Sequence, residues 1–389
     1  MKNRDYSDLW TKNLMSNYSV PSITLVKGKG CVVQDADGKK YLDMLGGIAT
    51  SVLGHAHPVV VSAVSRQIKT LSHVSNFYSH PNAIELAQIL IRLTGKKDSR
   101  VFFAQSGAEA NEAAIKLSRK TGRTEIVAMN GSFHGRTMGS LSLTGQRSKK
   151  IAFAPLLKNV KHIPFGDIKK ARRAINSKTA MVIIEPIMGE AGVIVPPTNY
   201  LKEVREICTA HGVLLAIDAV QTGIGRTGQW FGYEYSGITP DVITVAKGLG
   251  AGLPLAAMIA VGESSQLFIP GDHGSTFGGN PVTTAASIAA IKWIEKNKIL
   301  GKVKADYKYI STALHAVPGV TEVRGAGLLI GIELSKNNSA QVATLLEDSG
   351  VLVNAANPNT IRIAPALTVS KIELRLFIKV FKEVMSRVN

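Results

Sequence analysis

The sequence is poor in cysteine, in long apolar runs and in metal-binding spacings. Cys31 and Cys208 are the only cysteines in 389 residues, and no CxxC or cysteine–histidine ligand spacing is present, so we expect no structural zinc site. No apolar stretch approaches the roughly 20 residues that a membrane-spanning helix needs. The first ten residues contain no apolar secretory core. Together these absences predict a cytoplasmic protein with no membrane partner and no metal.

Acidic residues are scarce relative to basic ones. The chain has 28 Asp and Glu against 46 Lys and Arg, a formal net charge of +18, which raises the question of nucleic-acid binding. The basic residues are spread along the chain, and the densest patch, residues 169–173, is typical of one solvated helix face. No RNA-binding aromatic motif or helix-turn-helix pattern accompanies them. We therefore predict no nucleic-acid partner.

Apolar residues are plentiful and follow an α/β pattern. They make up 45% of the chain, enough for a large core. Amphipathic stretches at residues 108–122 and 200–212, each closed by glycine, predict helices. Four apolar runs predict buried parallel strands: residues 101–104, 180–186, 213–218 and 242–246. The fold class is therefore α/β with a mostly parallel central sheet.

The chain divides into three predicted parts. Residues 1–45 form an N-terminal arm and hairpin that packs with the small domain, since turn residues cluster around 35–40. Residues 46–281 form the large domain. Composition changes where TTAASIAAIKWIEK begins, so residues 282–389 are assigned to a smaller α+β C-terminal domain.

Two residues at predicted strand ends carry the chemistry. Lys247 follows the run VITVA, and Asp218 ends the run VLLAID. Open α/β sheets place their ligands at the carboxyl ends of strands. A lysine there can bind an aldehyde cofactor covalently, and a carboxylate can keep a pyridine nitrogen protonated. The pair suggests pyridoxal 5'-phosphate.

Two loops offer further contacts. Ser106, Gly107 and Ala108 connect a predicted strand to a helix, where backbone N–H groups and the helix dipole suit a phosphate. By itself this segment is more typical of an ordinary strand-to-helix turn. In GSFHGRT, Phe133 offers a stacking face and Arg136 a carboxylate clamp, although a plain loop with an exposed arginine has the same sequence.

Two other motifs have the spacing of known binding sites but are interpreted differently here. Gly223, Gly225 and Gly228 have the GxGxxG spacing of a dinucleotide site, but the glycine- and aromatic-rich stretch that follows has no helical period. A Rossmann loop opens directly into a helix. His55 and His57 in GHAHP predict a turn before a proline rather than a metal site.

The motifs together resemble the class III (fold-type I) pyridoxal-phosphate-dependent aminotransferases. The strings that carry the resemblance run in order over nearly the whole chain: SGAEANEAAIKLSR, FHGRTMGSLSLTGQ, EPIMGEAGVIVPP, DAVQTGIGRTG, AKGLGAGLP and HGSTFGGNP. The resemblance implies a large cofactor-binding domain followed by a smaller C-terminal domain.

The resemblance also implies roles around the cofactor. Lys247 would bind the aldehyde and Asp218 the pyridine nitrogen. Val220 would pack behind the ring, Phe133 would stack on its other face, and Gln221 would contact the phenolic oxygen.

For the cofactor phosphate, the same resemblance implies contacts from Gly107 and Ala108. Thr276, with its neighbour Ser275, would reach the site from a second subunit. The expected assembly is therefore a homodimer with shared active sites.

Substrate positions follow from the same family pattern. The resemblance is strongest to members that transfer the terminal amine of N2-acetyl-L-ornithine to 2-oxoglutarate, which gives N-acetyl-L-glutamate 5-semialdehyde and L-glutamate in arginine biosynthesis. Arg136 and Tyr18 would bind the donor carboxylate. Arg362 would bind the oxo-acid carboxylate, as a bidentate guanidinium can, and Glu190 would pair with Arg362 when the donor is bound.

Three positions depart from the family pattern, and several alternatives stay open. Ala219, Gln105 and Met188 stand where the family usually has Glu, Asn and Gln, so substrate range could differ. Ornithine, succinyl-diaminopimelate or 4-aminobutyrate could replace the acetylated donor. From other classes, a nicotinamide-dependent oxidoreductase or a non-catalytic binding protein would conflict with the presence of Lys247 and Asp218.

Overall fold

A computed structural model describes residues 1–388 of the chain. Strands β1 to β15 span, in order, Leu25–Lys29, Val32–Asp35, Lys40–Asp43, Ser99–Ala104, Glu125–Met129, Val160–Ile163, Thr179–Ile184, Leu214–Asp218, Val242–Val245, Ala256–Val261, Val320–Ala326, Leu329–Leu334, Val351–Leu352, Asn354–Asn357 and Thr360–Ile363. Helices α1 to α12 span Asn3–Asn13, Gly46–Ala49, Pro58–Thr70, Pro81–Thr94, Gly107–Arg119, Met138–Leu143, Ile168–Ala174, Tyr200–His211, Pro281–Lys296, Ile299–His315, Ser339–Asp348 and Lys371–Val388.

A seven-stranded sheet forms the centre of the molecule, with the strand order β4-β10-β9-β8-β7-β5-β6. All pairs from β9 to β6 are parallel, while β10 is antiparallel to both β9 and β4. Every residue of β7 and β9 is buried, as expected for strands covered on both faces. The predicted α/β fold with a mostly parallel sheet is confirmed.

The antiparallel strand β10 changes one detail of the prediction. Residues 101–104 form part of β4, but the hydrogen-bonded neighbour of β4 is β10, antiparallel to it. Residues 101–103 are only half-buried, and Ala104 is the one buried residue of the run. The apolar run therefore indicated a strand correctly, but neither its full burial nor its pairing direction.

Both predicted helices are confirmed as α5 and α8. Ser106 caps α5 by accepting a hydrogen bond from the backbone N–H of Glu109, whose carboxylate in turn accepts from the Ser106 N–H, a capping box. Gly122, three residues beyond α5, and Gly212, at the end of α8, adopt left-handed φ of 76° and 59°, as glycine does when it closes a helix.

Two smaller sheets flank the centre. Sheet β1-β2-β3-β13 contains the predicted hairpin at residues 35–40, and its β3 pairs in parallel with β13 from the C-terminal part of the chain. Sheet β11-β12-β15-β14 is antiparallel. The predicted domain boundaries at 45/46 and 281/282 remain a prediction. The last residue of the predicted C-terminal domain, 389, lies outside the described residues. Within residues 1–388, none of the helices is both long and apolar enough to cross a bilayer.

Candidate active site

A cavity of about 540 Å³ lies at the carboxyl ends of the central strands, the edge at which open α/β sheets bind ligands. The loops that follow β4, β5, β7, β8 and β9 supply most of its walls. Ten of the predicted site residues line it: Ser106, Gly107, Ala108, Phe133, Arg136, Glu190, Asp218, Val220, Gln221 and Lys247.

Lys247 follows β9 and opens a short 3-10 turn with a left-handed φ of 45°. Burial lowers the pKa of its amine to about 8, and the charge of Arg362 adds to that effect, while Glu190 opposes it. An amine with such a pKa is partly neutral at physiological pH. Lys247 is therefore suited to attack a carbonyl and to carry a proton.

Asp218 ends β8 with its carboxylate fixed by three donors. Asn111 Nδ2 donates to Oδ2 at 2.8 Å, His134 Nδ1 lies 2.7 Å from the same oxygen, and the N–H of Val220 donates to Oδ1 at 3.0 Å. Thr244 Oγ1 in turn donates to Asn111 Oδ1 at 2.8 Å. This network holds a buried carboxylate in one orientation.

Asn111, His134 and Thr244 were missed by reasoning from the sequence. A signal existed for two of them, since Asn111 falls on the buried face of α5 and Thr244 interrupts an apolar strand. Buried polar groups need partners, so each pointed to a polar neighbour. Nothing in the sequence showed that this neighbour is Asp218.

The start of α5 is shaped for an anion. The N–H groups of Gly107 and Ala108 have no acceptor within residues 1–388, and they lie at the positive end of a 13-residue helix. A Cβ at Gly107 would lie 2.8 Å from a Val220 methyl, so only glycine fits between the helix and Val220. These features fit a phosphate group.

Glu190, which lines the cavity, forms a partly buried ion pair with Arg362. Arg362, from β15, donates to Glu190 Oε1 at 2.6 Å through Nη1 and to Asn354 Oδ1 at 2.9 Å through Nη2. Burial by itself would raise the pKa of Glu190, but the charge and hydrogen bond of Arg362 outweigh it and lower that pKa. Arg362 does not line the cavity directly; it lies behind Glu190.

Glu185 is a further cavity residue that the sequence reasoning did not select. It follows β7, and its carboxylate accepts a hydrogen bond from the N–H of Phe133 at 3.0 Å. Burial raises the pKa of Glu185 to about 7; the charge of His134 opposes this shift and that of Asp218 adds to it. The contact fixes the loop that carries Phe133.

Three further predicted residues lie outside the cavity. Ser275 and Thr276 line a neighbouring cavity of about 460 Å³, and Gln105 lines both cavities, with its amide 2.7 Å from Ser275 Oγ. Tyr18 is 72% exposed on the N-terminal segment. Within a single chain, the structure does not bring Ser275, Thr276 or Tyr18 to Lys247.

Two of the departures from the family pattern are buried beside the cavity. Ala219 is fully buried in the apolar core. Met188 is also buried and pairs with Ile194 through two backbone hydrogen bonds. Neither side chain lines the cavity, so an effect on substrate range would have to be indirect.

The GxGxxG spacing and the histidines of GHAHP belong to ordinary structural elements. Residues 223–228 form a series of turns, and the next helical element is the 3-10 turn Glu234–Ser236. His55 Nε2 lies 2.8 Å from Asp43 Oδ2, a carboxylate 12 residues earlier in the chain. Within the described part of the chain, no cluster of three or more His, Cys, Asp or Glu side chains could hold a metal ion.

A partly neutral amine opposite a fixed carboxylate suits covalent chemistry on a cofactor aldehyde. Together with the α/β fold, it defines a pyridoxal-phosphate-dependent enzyme. Residues 14–385 match the family model described as "Aminotransferase class-III". The chain belongs to this family.

Relatives cover nearly the full length. The chain is 50% identical over 378 residues to the acetylornithine aminotransferase of Mycolicibacterium smegmatis, and this match covers 97% of each protein. It is also 50% identical to that of Streptomyces coelicolor, over 94% of this chain and 92% of the relative.

Solved structures agree with this fold. The acetylornithine aminotransferase of Elizabethkingia anophelis superposes with a TM-score of 0.88 at 30% identity, covering 99% of both chains. The ornithine aminotransferase of Toxoplasma gondii superposes with a TM-score of 0.94 at 28% identity, covering 100% of this chain and 96% of the other.

Proposed function

We propose that the protein transfers the terminal amine of N2-acetyl-L-ornithine to 2-oxoglutarate, forming N-acetyl-L-glutamate 5-semialdehyde and L-glutamate in arginine biosynthesis. The observation that carries the proposal is the Glu190–Arg362 pair. It leaves Arg136 as the free guanidinium at the cavity, since Arg136 forms no ion pair within residues 1–388. The relatives at about half identity support the same donor.

We assign to each cavity residue a role that fits its position. Lys247 would hold the cofactor aldehyde and would move a proton at the reacting carbon. Asp218 would hold the pyridine nitrogen, and the start of α5 at Gly107 would hold the phosphate. When bound, pyridoxal phosphate supplies the electron-withdrawing ring that makes the donor carbon acidic.

The two substrates differ in their number of carboxylates. The acetylated donor has one, which Arg136 binds, so Arg362 stays neutralised by Glu190. 2-Oxoglutarate has two, and its carboxylate beside the reacting carbon displaces Glu190 from Arg362. A planar guanidinium binds a carboxylate through two parallel hydrogen bonds, which orients the oxo acid for reaction.

Donor profiling of the purified enzyme tests the proposal. With 2-oxoglutarate as acceptor, we expect kcat/KM for N-acetylornithine to exceed that for ornithine by about tenfold or more, because the free α-ammonium of ornithine would lie among cations at Arg136. Succinyl-diaminopimelate and 4-aminobutyrate are measured in parallel. A kcat/KM for any of these three that equals or exceeds the value for N-acetylornithine contradicts the proposal.

We also propose a homodimer with shared active sites. Phe77 and Phe277 are 93% and 57% exposed, and Asn76 links their segments by donating to the Ser275 carbonyl at 3.0 Å. Exposed apolar side chains at the edge of the Thr276 cavity favour a protein contact. Through that contact Thr276 reaches the cofactor phosphate of the partner subunit, and Tyr18 reaches a substrate. Sedimentation equilibrium tests this: a fully active monomer would exclude it.

We further propose a cytoplasmic location. Cys31 and Cys208 are both buried and unpaired, as is usual for proteins of a reducing compartment. Cell fractionation with an antibody against the protein checks this, and recovery outside the cytoplasm contradicts it.

The lowered pKa of Lys247 predicts a pH dependence for cofactor attachment. Only the neutral amine reacts, so with a pKa of about 8 the rate at which cofactor-free protein binds pyridoxal phosphate covalently rises about tenfold from pH 7 to pH 9 and then levels off. Absorbance after stopped-flow mixing measures it.

Nα-acetyl-lysine in the same buffers is the control for ionisations of the cofactor. Its rate keeps rising above pH 9, because an ordinary lysine has a pKa of about 10.4. A protein rate that follows this control at every pH contradicts the lowered pKa of Lys247.

A further inference from the structure

The side chain of Lys149 lies beside Glu190 at the cavity. Lys149 ends the short 3-10 turn Arg147–Lys149, and its Nζ lies 3.9 Å from Glu190 Oε2 and 4.7 Å from the centre of the Phe133 ring. Its side chain is 25% exposed and that of Glu190 is 22% exposed. The pair is thus partly shielded from water, which strengthens its attraction relative to a surface pair.

The two oxygens of Glu190 face two different cations. Oε1 accepts from Arg362 at 2.6 Å, whereas Oε2 faces Lys149. The Glu190 carboxylate can therefore leave Arg362 and remain beside a positive charge. Within residues 1–388, Arg362 and Lys149 are the two cations that form ion pairs with Glu190.

The number of carboxylates in the bound substrate decides when Glu190 needs a second cation. Besides Lys247, three cations lie at or next to the cavity: Arg136 lines it, and Arg362 and Lys149 each form an ion pair with Glu190, which also lines it. A donor with one carboxylate occupies Arg136, and Glu190 neutralises Arg362. A substrate with two carboxylates occupies both arginines, so Glu190 loses Arg362 and keeps only Lys149 of these two ion-pair partners. A partly buried carboxylate without a partner is unfavourable.

We propose that Lys149 is a positioning residue that receives Glu190 when 2-oxoglutarate or L-glutamate occupies Arg362. This inference rests on the proposed function and deepens it. Lys149 acts through Glu190, not by contact with the substrate. It thereby favours the half-reaction with the dicarboxylate over the half-reaction with the monocarboxylate donor.

Half-reactions of the holoenzyme test the proposal separately for each substrate. Conversion of the bound cofactor by L-glutamate alone, or by N-acetylornithine alone, is followed by absorbance. In Lys149→Gln we expect the half-saturating L-glutamate concentration to rise about tenfold, because Glu190 is then displaced without a new partner. The half-saturating N-acetylornithine concentration stays within about twofold, because the Glu190–Arg362 pair persists.

Lys150→Gln is the matched control. Lys150 is the next residue, but its Nζ points to the Ser142 carbonyl at 3.4 Å and to His162 at 3.5 Å, away from the cavity. We expect both half-reactions of this variant to match the wild type. Lys149→Arg keeps the charge and restores glutamate binding to within about threefold of the wild type.

A double variant separates positioning from general structural damage. In a Glu190→Gln background no carboxylate needs Lys149, so adding Lys149→Gln changes the half-saturating L-glutamate concentration by less than about twofold. An unchanged L-glutamate response in the single variant Lys149→Gln overturns the inference. Equal weakening of L-glutamate and N-acetylornithine also overturns it, because Lys149 would then bind a carboxylate common to both substrates.

Failure of the proposed function gives a different pattern. A wild-type enzyme that reacts with L-glutamate but not with N-acetylornithine refutes the proposed donor, and the L-glutamate measurements on Lys149→Gln and the double variant still decide the role of Lys149. A wild-type enzyme that reacts with neither substrate overturns both.

Discussion

Replacing Lys247 by alanine is expected to leave a folded protein with aminotransferase turnover reduced about a thousandfold or more, because no other lysine among residues 1–388 lines the cavity and an amine is needed to bind the cofactor aldehyde and move the proton. The fold should persist, since alanine removes a buried amine whose charged form is disfavoured by burial. Glutamate formation from N-acetylornithine and 2-oxoglutarate measures the loss, and circular dichroism checks the fold.

The exposed Lys178, which precedes β7, provides the matched control for this experiment. Lys178→Ala removes the same side chain from the surface and should retain wild-type turnover. Borohydride reduction followed by peptide mass spectrometry should locate the cofactor on Lys247 in both the wild type and Lys178→Ala. More than about 1% residual turnover in Lys247→Ala would refute the assigned role.

Replacing Asp218 by asparagine is expected to lower kcat by about a hundred- to a thousandfold, the usual effect of losing a preorganised charge at a reaction centre. Asparagine has the same size, and its oxygen can accept from Asn111 and His134, but its NH2 group cannot accept from the N–H of Val220 and it provides no negative charge for a protonated pyridine nitrogen. The cofactor should still attach to Lys247. Steady-state kinetics and the absorbance of the bound cofactor measure the two effects separately.

Asp241 offers a matched carboxylate at the opposite edge of the same sheet. It forms an ion pair with Arg205 at 2.5 Å and accepts from the N–H of Leu215 at 2.7 Å. Asp241→Asn should lower the unfolding temperature while leaving kcat within about twofold, because Asp241 lies away from the cavity. If Asp218→Asn retains most of the wild-type kcat, the assigned partner of the pyridine nitrogen is wrong.

Strand ends were the most predictable part of the site. A buried strand is a short apolar run, and the polar residue that ends it must lie at the sheet edge. The positions of Lys247 and Asp218 at one edge of the sheet therefore follow from the sequence alone. Gly107 was predictable for a similar reason, since the turn between a strand and a helix has few allowed conformations.

The partners of these residues were not predictable in the same way. His134 and Asn111 contact Asp218 from a loop and a helix that lie 84 and 107 residues earlier in the chain. A polar residue on a buried face shows that a partner exists, but not which one. The antiparallel direction of β10 was hidden for a related reason, because composition reports burial and not strand direction.

The sequence by itself determined the α/β class, the family resemblance and the lysine–aspartate pair, because local periodicity and strand-end motifs are properties of short segments. Only the tertiary structure decided that Glu190 faces both Arg362 and Lys149, residues 172 positions after it and 41 positions before it. Such contacts depend on how β15 and the loop after α6 pack around one cavity. Packing of distant segments sets the distances between charges, and those distances decide which carboxylate each cation can hold.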